Sequence, residues 1–137
     1  MQPEYISDLR AFKQFRFAHL PAVLILHLKY FEYTPKGGLA KLQKNIDFEP
    51  NLRLPERWFA DGHYQPTKSL YRLAAVVFHW GEQIDSGHYT ACLFHPGIPG
   101  QWIEANDSGI NIVNFNYIRE PQMHRAPYLL FYRQMSQ

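Results

Sequence analysis

The sequence predicts an α+β fold that consists mainly of antiparallel β-structure. Runs rich in β-branched and aromatic residues recur at short, regular spacing along most of the 137 residues, and little of the chain has a helical pattern. Clusters of glycine, proline, asparagine and aspartate separate the runs, as is typical of turns. A hydrophobic content of 46% and an aromatic content of 16% fit a packed, β-rich body that is large enough to bury a core. We therefore expect one twisted antiparallel sheet.

The predicted elements begin with a short helix and continue as strands. Tyr5, Leu9 and Phe12 are spaced for one face of a helix within residues 1–12. From Phe15 the apolar period changes to two, which is the period of a strand. Strands are predicted at 15–19, 22–31, 71–79, 88–95, 101–105, 110–114 and 127–133.

The segments between the first strands have turn or loop chemistry. Residues 34–38, Thr-Pro-Lys-Gly-Gly, predict a turn, and residues 39–48 continue as an extended arm. Residues 50–68 contain three prolines and an Asp-Gly pair, so we expect a long irregular segment with one helical turn near 56–59. Long ordered loops are often functional.

One predicted hairpin brings a histidine and an asparagine together. His88 opens a strand pattern, residues 96–100 have dense turn chemistry, and residues 101–105 form the return strand. In an antiparallel pair the numbers of opposite residues sum to a constant. A turn centred near Gly97 therefore puts position 88 opposite Asn106. We expect a ring nitrogen of His88 to lie within about 4 Å of a side-chain oxygen of Asn106 or Asp107.

This hairpin has two interpretations. A histidine that is oriented by a side-chain oxygen is the base-and-orienter half of a catalytic triad. Alternatively, His88 is a structural side chain at the start of a strand, and the sequence Asn-Asp-Ser-Gly at 106–109 is simply a good turn.

The chain offers no obvious nucleophile for this histidine. Cys92 is its only cysteine and lies four residues along the same strand, which at about 3.3 Å per residue is roughly 13 Å from His88. A nucleophile must lie within about 3 Å of its base, so we interpret Cys92 as a buried structural thiol. Ser86 and Ser108 lie near the site and are more simply hydrogen-bonding residues. A single cysteine excludes an internal disulfide framework and suits a reducing compartment.

The charge and histidine content of the chain favour neither a nucleic-acid partner nor a metal. The net charge is +2, with small basic clusters at residues 10–16 and 36–44 that invite a nucleic-acid interpretation. However, most aromatic residues lie inside strand patterns and are expected in the core, as are Phe15, Phe17, Phe31, Phe78 and Phe131. Nucleic acid is therefore not an expected partner. Four of the seven histidines fall on predicted strands, namely His27, His79, His88 and His95. They lack the usual spacing of metal ligands, so no metal or other cofactor is expected. No run is long enough for a membrane span, and the first residues lack a signal-peptide pattern.

Four motifs in this order resemble the C-terminal half of the ubiquitin-specific proteases, the papain-like cysteine deubiquitinases. They are Leu-Pro-Ala-Val-Leu-Ile-Leu-His-Leu-Lys-Tyr-Phe at 20–31, the strand at 71–81, the box Gly-His-Tyr-Thr-Ala at 87–91 followed by Trp102 and Asn-Asp-Ser at 106–108, and the closing strand at 127–133. The resemblance extends from about Lys13 to Arg133. Within the family, residues 37–46 and the form of the histidine box look most similar to the ubiquitin-specific protease 10 group.

Two departures from the family pattern affect the interpretation. Tyr30 stands where the family usually has arginine, and the box that carries the nucleophilic cysteine is absent from the chain. The resemblance therefore implies a palm region, with partial fingers, over residues 13–137 and an N-terminal remnant over 1–12. The family's helical thumb packs on this sheet, and strands 22–31 and 71–78 are apolar on both faces, so we expect an exposed apolar face in the chain alone.

By resemblance, the site residues have the following roles. His88 withdraws the proton from a cysteine supplied by the missing N-terminal half, Asn106 orients the imidazole, and Asp107 supports the site behind Asn106 or beside the oxyanion. Gly87 lets the backbone approach the diglycine tail of ubiquitin, and Tyr89 also contacts substrate. His79 lines the same cleft as His88, although a structural strand-end histidine is the alternative.

The expected partners are ubiquitin, ubiquitinated proteins and the missing half of the domain, in the cytoplasm, the nucleus or both. This chain alone is expected to be inactive. Two alternatives remain: a catalytically inactive module that binds ubiquitin or a partner protein, and a mere structural fragment.

Overall fold

The computed structural model describes residues 10–42, 44–83 and 85–135, and over these residues the chain is mostly antiparallel sheet. The helix predicted from Tyr5, Leu9 and Phe12 falls mostly outside the described residues, and residues 10–12 are not helical. The described part holds nine strands: β1 Val23–His27, β2 Phe31–Tyr33, β3 Leu39–Lys41, β4 Asn51–Arg53, β5 Leu70–Trp80, β6 His88–Phe94, β7 Gln101–Asn106, β8 Gly109–Asn114 and β9 Pro127–Gln134.

Seven strands form the main sheet, in the order β1-β9-β5-β6-β7-β8, with β4 paired to the first residues of β5. Strands β2 and β3 form a separate hairpin. Helical structure in the described part is limited to α1, Phe115–Ile118, and to single 3-10 turns at Glu56–Trp58, Pro66–Lys68 and Met123–Arg125. No helix among the residues described is long and apolar enough to cross a bilayer.

The two N-terminal strand predictions were partly wrong. In place of a strand at 15–19 there is one isolated parallel bridge between Phe17 and Phe59. The predicted strand at 22–31 is divided into β1 and β2, because β9, the partner of β1, begins only at Pro127 and leaves the chain beyond Leu28 without a ladder.

The sheet buries one face. Tyr71 and Leu73 of β5 point to this face, and beyond the register shift between Leu73 and Ala75 the even-numbered residues of β5, β6 and β7 do so. With β1 and β9 they form a core that includes Leu24, Val76, Phe78, Cys92, Trp102, Leu130 and Tyr132. The irregular segments cover it with Phe48, Leu54, Phe59, Ile118 and Met123. Full burial of such side chains contributes about 1.5–3 kcal/mol each, so this face dominates the stability of the fold.

The opposite face carries an apolar row that crosses six strands. Consecutive ladder pairs join Ile25, Phe131, Ala75, Leu93, Ile103 and Ile112. Ile25 is 53% exposed, Leu93 43% and Ile112 58%. Apolar residues on both faces of the strands, which the sequence predicted, thus leave one apolar face only partly covered.

The prediction that Phe15 belongs to the core was wrong. Its side chain is 83% exposed and lies against the Lys13 ammonium, whereas Phe78 is fully buried. Because residues 15–19 do not join a sheet, no described element covers Phe15 on that side.

Candidate active site

His88 and Asn106 meet at the end of the β6–β7 hairpin. The ring Nε2 of His88 lies 2.6 Å from Oδ1 of Asn106, which is hydrogen-bonding distance. Nδ1 of the same ring lies 4.0 Å from Oδ2 of Asp107. The proximity predicted from the sequence is therefore present, while the catalytic roles of these residues stay predictions.

The register that brings them together differs from the predicted one by two residues. Strands β6 and β7 pair Ala91 with Ala105 and Phe94 with Trp102. Continued one pair further, this register places Asn106 level with Thr90 rather than with His88. A shift by two residues keeps side chains on the same face of the sheet, and diagonal neighbours remain within reach of long side chains. His88 and Asn106 are therefore in contact although the predicted register was wrong by two residues.

The hydrogen bond determines which ring nitrogen of His88 is free. An amide oxygen only accepts, so Nε2 carries the hydrogen and donates it to Asn106. In the neutral ring Nδ1 then holds a lone pair and accepts a proton. The His88 side chain as a whole is about half exposed.

A two-residue turn presents Asn106 and Asp107. Asn106 pairs with Gly109 as the last pair of β7 and β8, and Asp107 has a φ of 51°. Asparagine and aspartate tolerate this left-handed conformation better than most residues with a Cβ. The turn sequence thus has a structural purpose as well as a candidate chemical one.

A cleft opens beside the His88–Asn106 pair on the buried face of the sheet. Its other lining residues are Trp80, Thr90, Glu104, Tyr117, Gln122 and Met123. The indole Nε1 of Trp80 donates to Oγ1 of Thr90 at 2.9 Å, and the hydroxyl of Tyr117 donates to Oε2 of Glu104 at 2.5 Å. Thr90 and Glu104 could have been found from the sequence, because they stand two positions from His88 and Asn106 on the same strand faces. Tyr117 gave no such signal.

His79 does not lie in this cleft, contrary to the expectation from the sequence. It pairs with Tyr89, while Trp80 pairs with His88, so the rings of His79 and His88 point to opposite faces of the sheet. His79 is only 4% exposed and packs 4.8 Å from the ring of Tyr89. Its Nε2 has no hydrogen-bond partner among the described residues.

Gly87 lies directly against the His79 ring. Its φ is 144°, and a Cβ there would stand 2.5 Å from the carbonyl oxygen of Trp80 and 2.6 Å from Nε2 of His79. Only glycine fits this position. The lack of a side chain at Gly87 therefore lets its backbone pack against Trp80 and His79 within the chain, whether or not substrate also approaches it.

An aromatic surface surrounds His79 on the outer face of the sheet. Tyr128 lies 6.1 Å from His79, 6.0 Å from Tyr89 and 4.9 Å from His27, all between ring centroids. Phe31 closes the other side of His79 at 6.1 Å. We call these five residues, His27, Phe31, His79, Tyr89 and Tyr128, the aromatic surface.

Lys41 ties the β2–β3 hairpin to the loop that precedes His88. Its Nζ donates to the carbonyl oxygens of Gly81 at 2.8 Å and of His79 at 3.4 Å, and burial lowers the pKa of the ammonium. Tyr30, at the position where the family usually has arginine, is buried, and its hydroxyl has no partner in the described part of the chain. Burial raises the pKa of Tyr30 to about 12.

Cys92 is buried, as the sequence predicted, and is unsuited to be the nucleophile. Burial, with a smaller contribution from the charge of Glu104, raises the pKa of its thiol to about 12. The reactive form of cysteine is the thiolate, which this environment disfavours. Ser86 donates its hydroxyl to Gln83 at 2.9 Å. No three histidine, cysteine or carboxylate side chains converge in a metal-binding geometry within residues 10–42, 44–83 and 85–135.

Known proteins match both the sequence and the fold. The family model described as ubiquitin carboxyl-terminal hydrolase matches residues 4–132. Ubiquitin carboxyl-terminal hydrolase 10 of Mus musculus is 38% identical over 120 residues, which cover 85% of this chain and 15% of the mouse protein. The chain thus spans about 15% of the length of such relatives.

Solved structures give the same result. The Ubp8–Sgf11–Sgf73–Sus1 SAGA DUB module matches with a TM-score of 0.69 and 31% identity over 85% of this chain and 25% of that one. The same module bound to monoubiquitin matches with a TM-score of 0.68 and 30% identity over 85% and 24% of the two chains. The antiparallel sheet is consistent with the palm region of a papain-like ubiquitin-specific protease domain, as predicted. The chain belongs to the ubiquitin carboxyl-terminal hydrolase family.

Proposed function

We propose that this chain is the palm part of a cysteine deubiquitinase that hydrolyses the peptide or isopeptide bond after the C-terminal glycine of ubiquitin. His88 is the general base and Asn106 orients it. The observation that carries this proposal is the 2.6 Å contact between Nε2 of His88 and Oδ1 of Asn106, which leaves Nδ1 free beside an open cleft.

The reaction uses both nitrogens of His88. Nδ1 withdraws the proton from a cysteine thiol, and the thiolate attacks the glycine carbonyl carbon. The resulting imidazolium donates its Nδ1 proton to the leaving amine as the carbon–nitrogen bond breaks. Water, deprotonated by the same nitrogen, then hydrolyses the thioester, which releases the ubiquitin carboxylate and restores the thiol.

Asn106 and Asp107 support the charged intermediate in different ways. The hydrogen bond from Nε2 to Asn106 fixes the plane of the ring through every step. Asp107 lies 4.0 Å from Nδ1, where a carboxylate stabilises the imidazolium by charge. Its negative charge argues against direct contact with an oxyanion.

The thiol comes from a part of the catalytic domain that is not in this chain. Cys92 is buried, and its raised pKa disfavours the thiolate. The half-exposed apolar row from Ile25 to Ile112 offers a surface on which a cysteine-bearing helical part packs. Partner binding through an apolar sheet face is consistent with the thumb expected from the family.

The ubiquitin tail binds along the aromatic surface next to Gly87. Tyr89 is half exposed there, at the same end of β6 as His88 but on the opposite face, so the tail passes over this end of the strand to reach the catalytic pair. A related SAGA DUB module has been solved with bound monoubiquitin. His79 contributes as the buried support of Tyr89 and Gly87. The single reduced cysteine is consistent with action in the cytoplasm or nucleus.

The proposal is tested by measuring hydrolysis of a ubiquitin C-terminal fluorogenic amide. The chain alone is expected to be inactive, and the chain assembled with the cysteine-bearing part of its catalytic domain is expected to be active. In the assembled form, His88→Ala should lower kcat by roughly 10²–10⁴-fold, the usual contribution of a general base. His95→Ala, in the loop that follows β6, is the control and should leave kcat unchanged.

Two substitutions identify the orienter. Asn106→Ala should lower kcat more than Asp107→Ala, because Asn106 makes the direct hydrogen bond. Full activity of the His88→Ala variant would overturn the proposal, as would turnover by the chain alone that Cys92→Ala abolishes. An assembled protein that binds ubiquitin without hydrolysing it would establish the inactive binding module instead.

A further inference from the structure

We propose that Glu104 and Tyr117 are positioning residues that hold Asn106 against His88. This inference rests on the proposed function, in which Asn106 orients the catalytic imidazole. Neither residue touches the reacting atoms in that mechanism; both act through the end of strand β7.

Asn106 lies at the end of β7, where the strand no longer pairs with β6. The last ladder pair between β6 and β7 is Ala91 with Ala105, so Asn106 extends one residue beyond it. Its remaining strand partner is Gly109 of β8, which is an edge strand with mostly exposed residues. A carboxamide that must meet His88 at 2.6 Å therefore needs support from another direction.

The Glu104–Tyr117 hydrogen bond supplies this support. Glu104 stands two residues before Asn106 and points to the same face of β7. The Tyr117 hydroxyl donates to Oε2 of Glu104 at 2.5 Å and so closes the segment from 104 to 117, which has the catalytic turn at its tip. Both side chains line the same cleft as His88 and Asn106.

The position of Tyr117 is set by contacts other than that with Glu104, so its hydroxyl can restrain the Glu104 side chain. Its backbone N–H donates to Oδ1 of Asn114 at 2.9 Å, which caps the first turn of α1. The next residue, Ile118, is fully buried, and Phe115 packs 5.7 Å from the ring of Trp102 in the core. The short helix thus fixes the hydroxyl relative to the sheet.

The phenol of Tyr117 remains the donor of this hydrogen bond. Hydrogen bonding to Glu104 raises the pKa of Tyr117 to about 12, so the phenol remains a donor at neutral pH. Glu104 is partly buried opposite Cys92 on the neighbouring strand, where loss of its donor would leave an unpaired carboxylate. Such a group turns toward water or draws water in, and either movement disturbs the strand end.

The test uses the assembled, active enzyme. Tyr117→Phe removes one oxygen and should lower kcat about tenfold, the scale of one hydrogen bond to a charged group. KM should stay unchanged, because the proposed tail surface is on the opposite face of the sheet. Tyr71→Phe is the matched control: it removes a hydroxyl that donates to the Pro21 carbonyl at 2.7 Å, remote from the cleft, and should leave kcat unaltered.

A double-mutant cycle separates positioning from general destabilisation. If Tyr117 acts through Asn106, then Tyr117→Phe should cause no further loss of kcat in an Asn106→Ala background. Glu104→Gln, which still accepts from the phenol, should retain more activity than Glu104→Ala. Imidazole ¹⁵N shifts of His88 should show a smaller population of the Nε2–H tautomer in Tyr117→Phe than in the unaltered protein.

The outcomes distinguish this inference from the proposed function. If His88→Ala keeps activity, the proposed function fails. If His88→Ala is inactive but Tyr117→Phe is unaffected, or has the same effect with and without Asn106, the function stands and the positioning role is overturned.

Discussion

At the scale of single residues, the candidate site depends on which side chains share a face and which nitrogen is left free. The Oδ1 atom of Asn106 accepts from Nε2 of His88 and thereby leaves Nδ1 unprotonated in the neutral ring. In the proposed mechanism Asn106 therefore orients the ring without a buried carboxylate. Cys92 and Gly87 lie on either side of His88 in the sequence, and their environments lead to two predictions.

The thiol of Cys92 should be inert in the folded chain. Burial raises its pKa to about 12, so the thiolate is scarce at neutral pH and the sulfur is shielded from reagents. Reaction with a chromogenic disulfide reagent at pH 8 should be slow in the native protein and rapid in denaturant. A fast native reaction would show that Cys92 is reactive after all.

Replacement of Gly87 by alanine should destabilise the fold by roughly 1–3 kcal/mol, the scale of a residue forced into disfavoured backbone geometry. The new Cβ would meet the Trp80 carbonyl and the His79 ring at about the distances given above, with φ at 144°. Urea unfolding measures the change. Gly97→Ala is the control: its Cβ would meet only the His95 ring, at 3.5 Å, and stability should be unchanged or raised by up to about 1 kcal/mol. Equal effects at both glycines would contradict the steric argument.

At the scale of elements, the molecule is a set of hairpins tied down by a few long-range contacts. Strands β6, β7 and β8 are sequential neighbours, so local turn chemistry largely determines their pairing. The segment before β4 is different, because Asp47 and Glu49 reach across to Arg119 after α1. These two ion pairs hold an irregular segment over the core beside Phe48.

The Asp47–Arg119 contact should make stability depend on pH in the acid range. Burial acts to raise the pKa of Asp47, but the hydrogen bond and charge of Arg119, the Phe48 N–H and His124 together hold it below its usual value. Because the unfolded state binds the proton more readily, the contribution is complete above the unfolded pKa of about 3.9 and is lost as the pH falls through the lower folded value. Both side chains are partly exposed, so the contribution is at most about 1 kcal/mol.

Urea midpoints between pH 2 and pH 6 measure this dependence. Asp47→Asn should flatten the acid limb of the profile below about pH 4. Glu32→Gln, on a side chain with no ion pair among the residues that the structure describes, should leave the limb as it is. An unchanged acid limb in Asp47→Asn would show that the ion pair adds nothing.

At the scale of the whole molecule, the sheet is asymmetric. One face is buried by the chain's own loops and short helices, and the other carries a partly exposed apolar row. The candidate catalytic pair lies at the end of the buried face, and the aromatic surface lies at the same end of the exposed one. A partner that covers the aromatic surface would therefore lie at the end of the sheet that carries His88.

The chain alone should self-associate through the exposed face. Ile25 and Ile112 are both more than half exposed in a row that spans the sheet. Burial of such apolar surface between two copies of the chain contributes a favourable free energy of about 25 cal/mol per Å². In sedimentation velocity, Ile25→Lys combined with Ile112→Lys should shift the chain toward monomer. Ile98→Lys, which changes an exposed isoleucine in the β6–β7 turn, is the control and should have little effect. A monodisperse monomer with a sharp melt before any substitution would contradict the interpretation of this face as an interface.

Local sequence patterns predict the strands from β5 onward, the hairpin that carries His88 and Asn106, the burial of Cys92 and the family. These features depend on alternation, turn residues and short motifs, which are local properties of the chain. The sequence also indicated apolar character on both faces of the central strands, because that requires only composition at alternate positions.

The other features of the fold and of the candidate site depend on contacts between distant parts of the chain. Residues 15–19 have a strand pattern but no partner strand, so Phe15 is exposed. Strand β1 ends beside the first residues of β9, its antiparallel partner. The observed register places Asn106 two residues from its predicted position along β6, level with Thr90, but on the predicted face of the sheet. His79 pairs with Tyr89, so its side chain points to the face opposite that of His88. Tyr117 reaches Glu104 only through the placement of a four-residue helix. Partners, faces and distances of this kind arise from packing between distant segments, which local sequence patterns do not encode.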